Sequence, residues 1–284
     1  MIDPTTIDFV IYHKNCADGF GAAYAAWKVL GNTAEYFAAS HGAPPPNVED
    51  KIVAILDFSY DNPTTKQMIR DAQDLIVIDH HASAVVELSD IPNKILDMSR
   101  SGAKMAWDFF HPDTPAPALI KYIQDRDLWQ WRLSNSQEFC AALDMVPFNF
   151  QSYSRIENDD VIKEMIITGG HILASNAAIV RRIIKNAGRR IFHGYRAMVV
   201  NSSWGMSEIG SELAKECDVA VIWYYNQKRD FYKFSLRTRR DDVDVSILAG
   251  KYGGGGHTKA AGFAIDGSDE LDIQELFKPR RELC

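Results

Sequence analysis

The apolar positions come in short runs rather than long ones. Residues 7–12, IDFVIY, form such a run, and the following DGFGAAYAAWKVLG reads as a helix closed by Gly31. AEYFAAS predicts a second strand and SHGAPPPNVED a Pro-rich loop. KIVAILDFSY predicts a strand buried on both faces, because KIVAIL is apolar without alternation. NPTTKQMIRDAQ, with Pro63 near its start, predicts a helix, and LIVIDHH is another continuous apolar strand. SRSGAKMAWDFF and PAPALIKYIQDRDLWQW read as helices. Strands alternating with helices in this way predict an α/β fold with a parallel sheet.

From about 150 to 190 the pattern is helical without strands. Gly169 and Gly170 interrupt it, which predicts a connecting pair of helices. Strands return in RAMVVNSS, DVAVIWYYN and KFSLRT, with SEIGSELAKE as a helix between the first two. The expected organisation is an N-terminal parallel-sheet domain over 1–150, a helical linker over 151–190, and a smaller C-terminal α/β domain over 191–284.

The 284-residue length suits two domains. With 46% hydrophobic and 24% charged residues, the chain can bury a core. No apolar run is long enough to span a bilayer, and MIDPTTIDFVIYH lacks the features of a signal peptide. Cys16, Cys140, Cys217 and Cys284 are scattered, with no CxxC pair, which fits a reduced compartment. A cytoplasmic location with no membrane association is therefore expected. Of the net charge of −7, residues 1–186 carry −8 (16 basic, 24 acidic) and residues 187–284 carry +1 (15 basic, 14 acidic). The acidic half argues against long-duplex binding and suits a site that collects divalent cations.

Three apolar strands end in acid or imidazole groups: FVIYH at His13, IVAILD at Asp57, and LIVID at Asp79 followed by His80 and His81. Ligands of open α/β sheets bind outside the carboxyl ends of the strands, so these side chains are expected along one crevice. Imidazole and carboxylate suit Mn²⁺, Zn²⁺ or Co²⁺. Two such ions about 3.5–4 Å apart can hold a phosphoryl group and generate a hydroxide. Asp57, ending the central candidate strand, is the expected bridge between them. Taken alone, an Asp after a strand is as readily a turn or cap. Two adjacent imidazoles behind a buried strand are less easily explained without a ligand. Asp79 is expected to orient His80 from behind, as carboxylates do for metal-bound histidines.

A second constellation is KYGGGGHTKAAGF, residues 251–263. Gly253 to Gly256 free the backbone to approach an anion, and successive N–H groups there would form a nest. His257 is placed to donate to a phosphate, and Ala260, Ala261 and Gly262 read as the small-residue start of a helix. Arg237, in KFSLRT, offers a bidentate guanidinium. In YIQDRDLWQW, Asp125 and Asp127 flank Arg126; either carboxylate could complete a metal set. By itself the segment reads as a helix C-terminus with Trp129 and Trp131 in the core.

Together these segments resemble the DHH phosphoesterase family, over nearly the whole chain and in order. YHKNCADGFGAAYAAW looks like its first motif, LDFSYD its second, IDHHAS its third, and QDRDLW falls where the fourth does; SLRT with DVDVSILAGKYGGGGHTKAAGF is similar to the DHH-associated C-terminal domain. The resemblance implies a catalytic domain over 1–150 and a substrate-binding domain over 191–284. It implies two Mn²⁺ ions, with Mg²⁺ or Co²⁺ as alternatives. The implied ligands are His13, Asp18, Asp57, His80 and one of Asp125 or Asp127, with Asp125 the better match by its spacing to Trp129. Asp57, Asp79, His80 and His81 would form the catalytic group, His81 contacting the phosphate. Arg237, Gly254, Gly255, Gly256 and His257 would grip the substrate's terminal phosphate or nucleotide. One departure stands out. Many members carry two aspartates, one residue apart, after the first-motif histidine; here Cys16 stands where the earlier would be. One metal is then weaker, is a different ion, or uses the Asn15 oxygen, because a thiolate is a softer ligand than Mn²⁺ prefers.

The reaction implied is exonuclease-like hydrolysis of short RNA or DNA oligonucleotides or nucleotides. Alternatives are a phosphomonoesterase, a pyro- or polyphosphatase, and a non-catalytic nucleotide-binding protein. Trp204 or Tyr252 could stack a base, though core packing is the expected role for each, and a homodimer is compatible with the family.

Overall fold

The computed structural model describes residues 2–267 and 276–279. The chain forms two compact units, Met1–Leu173 and Ala174–Cys284. Among the described residues no helix is long and apolar enough to cross a membrane.

The first unit is built on a five-stranded, wholly parallel sheet. Its strands are β1 (Phe9–His13), β2 (Glu35–Ala39), β3 (Ile52–Leu56), β4 (Asp74–Asp79) and β5 (Lys94–Leu96), in the order β2-β1-β3-β4-β5. Both faces are covered, which is why the central strands are apolar without alternation. On one face Val10, Ala54, Leu56, Ile76 and Ile78 pack with α1 (Ala17–Leu30), α4 (Gly102–Phe110) and α5 (Ala118–Asp127). On the other, Phe9, Ile11, Val53, Ile55, Leu75 and Val77 meet Met68 of α2 (Asn62–Asp71) and Ala84 of α3 (Ala82–Glu87). Each fully buried aliphatic side chain of this kind contributes about 1.5–3 kcal/mol. Strand order runs outward in both directions from the β1/β3 boundary, so the crevice at their carboxyl ends is the topological switch point.

The remaining helices of this unit are α6 (Ser136–Leu143), α7 (Phe150–Arg155) and the start of α8 (Asp159–Ile184). The expected helix pair is a single 26-residue helix instead. Gly169 does not break it. A Cβ there would lie 1.6 Å from the Glu138 carbonyl oxygen, so the glycine lets α8 approach the backbone of α6.

The second unit has a seven-stranded sheet in the order β10-β11-β9-β8-β7-β6-β12. Its strands are β6 (Gly188–Phe192), β7 (Tyr195–Asn201), β8 (Val219–Asn226), β9 (Phe231–Arg237), β10 (Gly255–His257), β11 (Ala260–Asp266) and β12 (Lys278–Pro279). Only β7 and β8 pair in parallel, joined through α9 (Met206–Leu213). α10 (Val245–Gly250) packs on one face with Leu236, Ala261 and Phe263; Ile209 and Leu213 of α9 pack on the other with Ala220 and Ile222. Ala260, Ala261 and Gly262 are therefore strand, not a helix start. Ala261 and Phe263 alternate into the core, where Phe263 stacks on Phe234 (4.6 Å between centroids) and Tyr252 (4.4 Å).

Candidate metal centre

The carboxyl ends of β1, β3 and β4 deliver His13, Asp57 and the Asp79-His80-His81 tripeptide to one place. Asp18 joins them from the first turn of α1 and Asp127 from the last residue of α5. His80 is central: its Nε2 lies 3.1 Å from Asp57 Oδ1, 3.5 Å from Asp127 Oδ2 and 3.6 Å from Asp18 Oδ2. His13 Nδ1 lies 3.6 Å from Asp57 Oδ2. Three overlapping sets each hold their ligand atoms within 4.8 Å of one another: His13, Cys16 and Asp57; Asp57, His80 and His81; Asp18, His80 and Asp127.

Asp57 is the residue these contacts leave unsatisfied. It is 1% exposed, yet neither carboxylate oxygen accepts a hydrogen bond, and His13 Nδ1 beside it is also buried and unpartnered. Leaving a buried acceptor unpaired costs about 1–3 kcal/mol, more for a charged group. The backbone adds to the cost: Asp57 has φ +54°, a conformation worth about 1–3 kcal/mol of strain outside glycine. The chain crowds it as well. A Cβ on Gly102 would lie 2.4 Å from Asp57 Cβ, so only glycine fits there. Buried acid oxygens without donors, held against imidazoles, are what a cation site requires, and the donor set of carboxylates and imidazoles fits a divalent transition metal.

Charge balance points the same way. Burial, with Asp57 and Asp127 close by, pushes the Asp18 carboxyl well above the usual range. Burial likewise raises Asp127 against the pull of His80. Burial would also raise Asp57, but His13 and His80 outweigh it and hold that group low. His13 is pushed up to about 10 by Asp57 and then Cys16. Burial opposes a charged His80, yet Asp57 and Asp127 raise it. The acids thus compete for too little positive charge. Asp18 has one fixed support: it accepts the N–H groups of Gly102 (2.6 Å) and Ala103 (3.0 Å) at the N-terminus of α4, where the helix dipole favours an anion.

Two expectations need correction. Asp125 does not reach the cluster. Its carboxylate accepts the N–H groups of Arg132 (2.9 Å) and Leu133 (3.2 Å), and it is Asp127 that faces His80. Residues two apart on a helix point about 200° apart, so one spacing cannot serve both. Asp79 orients His81 rather than the His80 ring: its Oδ1 engages His81 Nδ1 at 2.7 Å and accepts the backbone N–H groups of His80 (2.7 Å) and His81 (3.1 Å). Asp79 also raises the His81 imidazole, against burial.

Trp129 is not in the core either. It is 76% exposed, its ring edge-to-face with that of Trp131, which packs half-buried on the first-unit core. Both tryptophans have left-handed backbones, φ +54° and +51°. The Asp125 carboxylate and carbonyl, accepting from Gln130, Arg132 and Leu133, hold this loop in place. One further residue was not singled out by sequence. His41 lies 5.3 Å from the His13 ring and 6.5 Å from that of His81. It follows β2 by two residues, so the strand-end rule that located the others would have located it.

The chain is similar to known proteins in sequence and fold. The DHHA1 domain model matches residues 196–279. The chain is 30% identical over 305 aligned positions to uncharacterized protein R106 of Acanthamoeba polyphaga mimivirus, covering 95% of this chain and 72% of R106. It is 37% identical over 188 residues to oligoribonuclease NrnB of Bacillus subtilis, covering 60% of this chain and 45% of NrnB. In fold it is similar to the pGpG-specific phosphodiesterase PggH of Vibrio cholerae, with TM-score 0.54 and 14% identity over 91% of this chain and 93% of that one. RecJ of Thermus thermophilus, solved with Mn²⁺, gives TM-score 0.53 and 15% identity over 91% of this chain and 49% of RecJ. The chain belongs to the DHH phosphoesterase family.

The DHHA1 match in this DHH phosphoesterase covers the second unit's sheet apart from β6, and within it Arg237 and His257 both pair with Ala260, from opposite sides of β11. They therefore stand in register on one sheet face. The Arg237 guanidinium donates to Ser207 Oγ (3.1 Å) and the Leu236 carbonyl (2.9 Å), and burial lowers its pKa. His257 is exposed. Gly254 precedes β10, and Gly255 and Gly256 lie within it, so the glycines form a turn and strand edge rather than a free loop.

Proposed function

We propose that this DHH phosphoesterase is a metal-dependent phosphodiesterase that hydrolyses short oligonucleotides from an end, with two divalent metal ions, Mn²⁺ among them, as its cofactors. The observation that carries the metal dependence is Asp57, a buried carboxylate with both oxygens free between His13 and His80. His13 and Asp57 would hold one ion, and Asp18, Asp57, His80 and Asp127 the other, with Asp57 shared. Bound there, the ions would neutralise phosphate charge and acidify a water. Mg²⁺ or Co²⁺ would fit the same oxygen and imidazole donors.

The protein's own groups supply the rest. Asp79 accepts the His81 Nδ1 proton and favours the charged imidazole, whose second proton, on Nε2, can then be donated to a phosphate oxygen. The N–H groups of Gly102 and Ala103 at the α4 N-terminus hold the Asp18 carboxyl in place and favour its charged form against burial. On the second unit, Arg237 and His257, with the Gly254–Gly256 edge, suit a terminal phosphate.

Short oligonucleotides are favoured over pyrophosphate by two observations. The relative NrnB is named an oligoribonuclease. Trp129, two residues from Asp127 and held outward on a strained loop, suits a nucleobase, whereas an inorganic substrate has nothing to stack on it. The experiment is release of mononucleotides from a short labelled RNA with Mn²⁺, set against release of phosphate from polyphosphate. Turnover of the polyphosphate alone, or retained turnover in Asp57→Ala, would refute this reading.

A further inference from the structure

The proposed centre contains a donor that does not belong with hard ions. Cys16, His13 and Asp57 present Sγ, nitrogen and oxygen atoms within 4.8 Å of one another. Zn–S and Zn–N bonds of about 2.3 and 2.0 Å place neighbouring ligands of a tetrahedral site roughly 3.5 Å apart, so small side-chain rotations suffice. Asp57, 1% exposed with both oxygens unpartnered, independently marks this corner as awaiting a ligand.

Cys16 stands at the start of α1. It occupies the N-cap position of the 14-residue helix α1 but makes no side-chain cap hydrogen bond, so its sulfur is not committed to the helix. Asn15, at φ +57°, makes the turn that sets Cys16 after His13. Cys140 and Cys217, by contrast, donate to the carbonyls of Tyr122 (3.6 Å) and Leu213 (3.2 Å), as structural thiols do.

We propose that Cys16 is a metal ligand and makes the two cation positions chemically unequal. His13, Cys16 and Asp57 select a thiophilic ion such as Zn²⁺ or Co²⁺, while Asp18, Asp57, His80 and Asp127 take a hard one such as Mn²⁺ or Mg²⁺. This rests on reading the cluster as a metal centre. Binding displaces the thiol proton to solvent, so uptake at the first position releases acid while the second stays an oxygen and imidazole site.

The test is cobalt titration of the full chain after chelation. One equivalent is expected to give a near-ultraviolet sulfur-to-cobalt charge-transfer band that Zn²⁺ removes and excess Mn²⁺ does not. Cys16→Ser should abolish the band and weaken uptake at this position by about tenfold or more. Cys16→Asp should let Mn²⁺ compete with Co²⁺. Without any variant, bound Zn²⁺ should protect Cys16 from alkylation, read by peptide mass. Cobalt bound without the band, a band that persists in Cys16→Ser, or alkylation unaffected by Zn²⁺ overturns the role of Cys16 alone. No cobalt uptake at all overturns the metal centre with it.

Discussion

The Asp79 carboxylate grips His81 at Nδ1, 2.7 Å away, with the same oxygen that accepts two successive backbone N–H groups. One acid thus sets the ring orientation and the proton position of a neighbour without itself facing the cluster. Asp79→Asn should leave metal content unchanged and lower kcat by about 10- to 100-fold, the usual cost of losing an orienting carboxylate. Metal analysis alongside steady-state kinetics checks it; a loss of metal equal to the loss of rate would refute the division of labour.

Asp57 carries a cost that a cation would offset. In chelated protein, Asp57→Asn should change stability little, because relief of the buried charge is set against the loss of its pairing with His13 and His80, and asparagine tolerates the left-handed backbone. With saturating Mn²⁺ a gap should open between them, since the parent gains Tm and the variant does not. Thermal unfolding with and without the ion decides this.

Trp129→Ala should raise KM for short oligonucleotides by the equivalent of about 1–3 kcal/mol, the usual worth of base stacking, with partial rescue by Trp129→Phe. Hydrolysis of a phosphodiester lacking bases should not change. Stability should hardly move, because the ring is exposed.

In the second unit, Asp218 accepts from Arg196 and Arg240, and their hydrogen bonds outweigh burial to hold its carboxyl well below the usual range. A depressed folded pKa adds stability above the ordinary carboxylate value, and that stability is lost as pH falls toward the folded one. Asp218→Asn should therefore cost about 1–2 kcal/mol at neutral pH, discounted because both arginines are largely exposed, and the difference should shrink below about pH 4. Urea unfolding across that range checks it.

The strands were legible because burial on both faces of a parallel sheet writes itself as unbroken apolar runs, and the strand-end rule then located His13, Asp57 and His80. What failed was what depends on rotation or on distant partners. Asp125 and Asp127 differ only in the direction a helix turns them. Gly169 looks like a break until the Glu138 carbonyl is seen against it. The residues after His257 read as small and helical because the pairing that makes them a strand comes from β9, about 25 positions earlier. The α4 N-terminus beneath Asp18 was invisible for the same reason: its contribution is backbone, and Ser101-Gly102 carries no chemical flag.

The contact between Gly102 and Asp57 has an evolutionary consequence. Position 102 cannot drift freely: a side chain there would collide with the Asp57 Cβ and displace the acid. A relative carrying a side chain at 102 is therefore expected to have moved or lost the acid at 57.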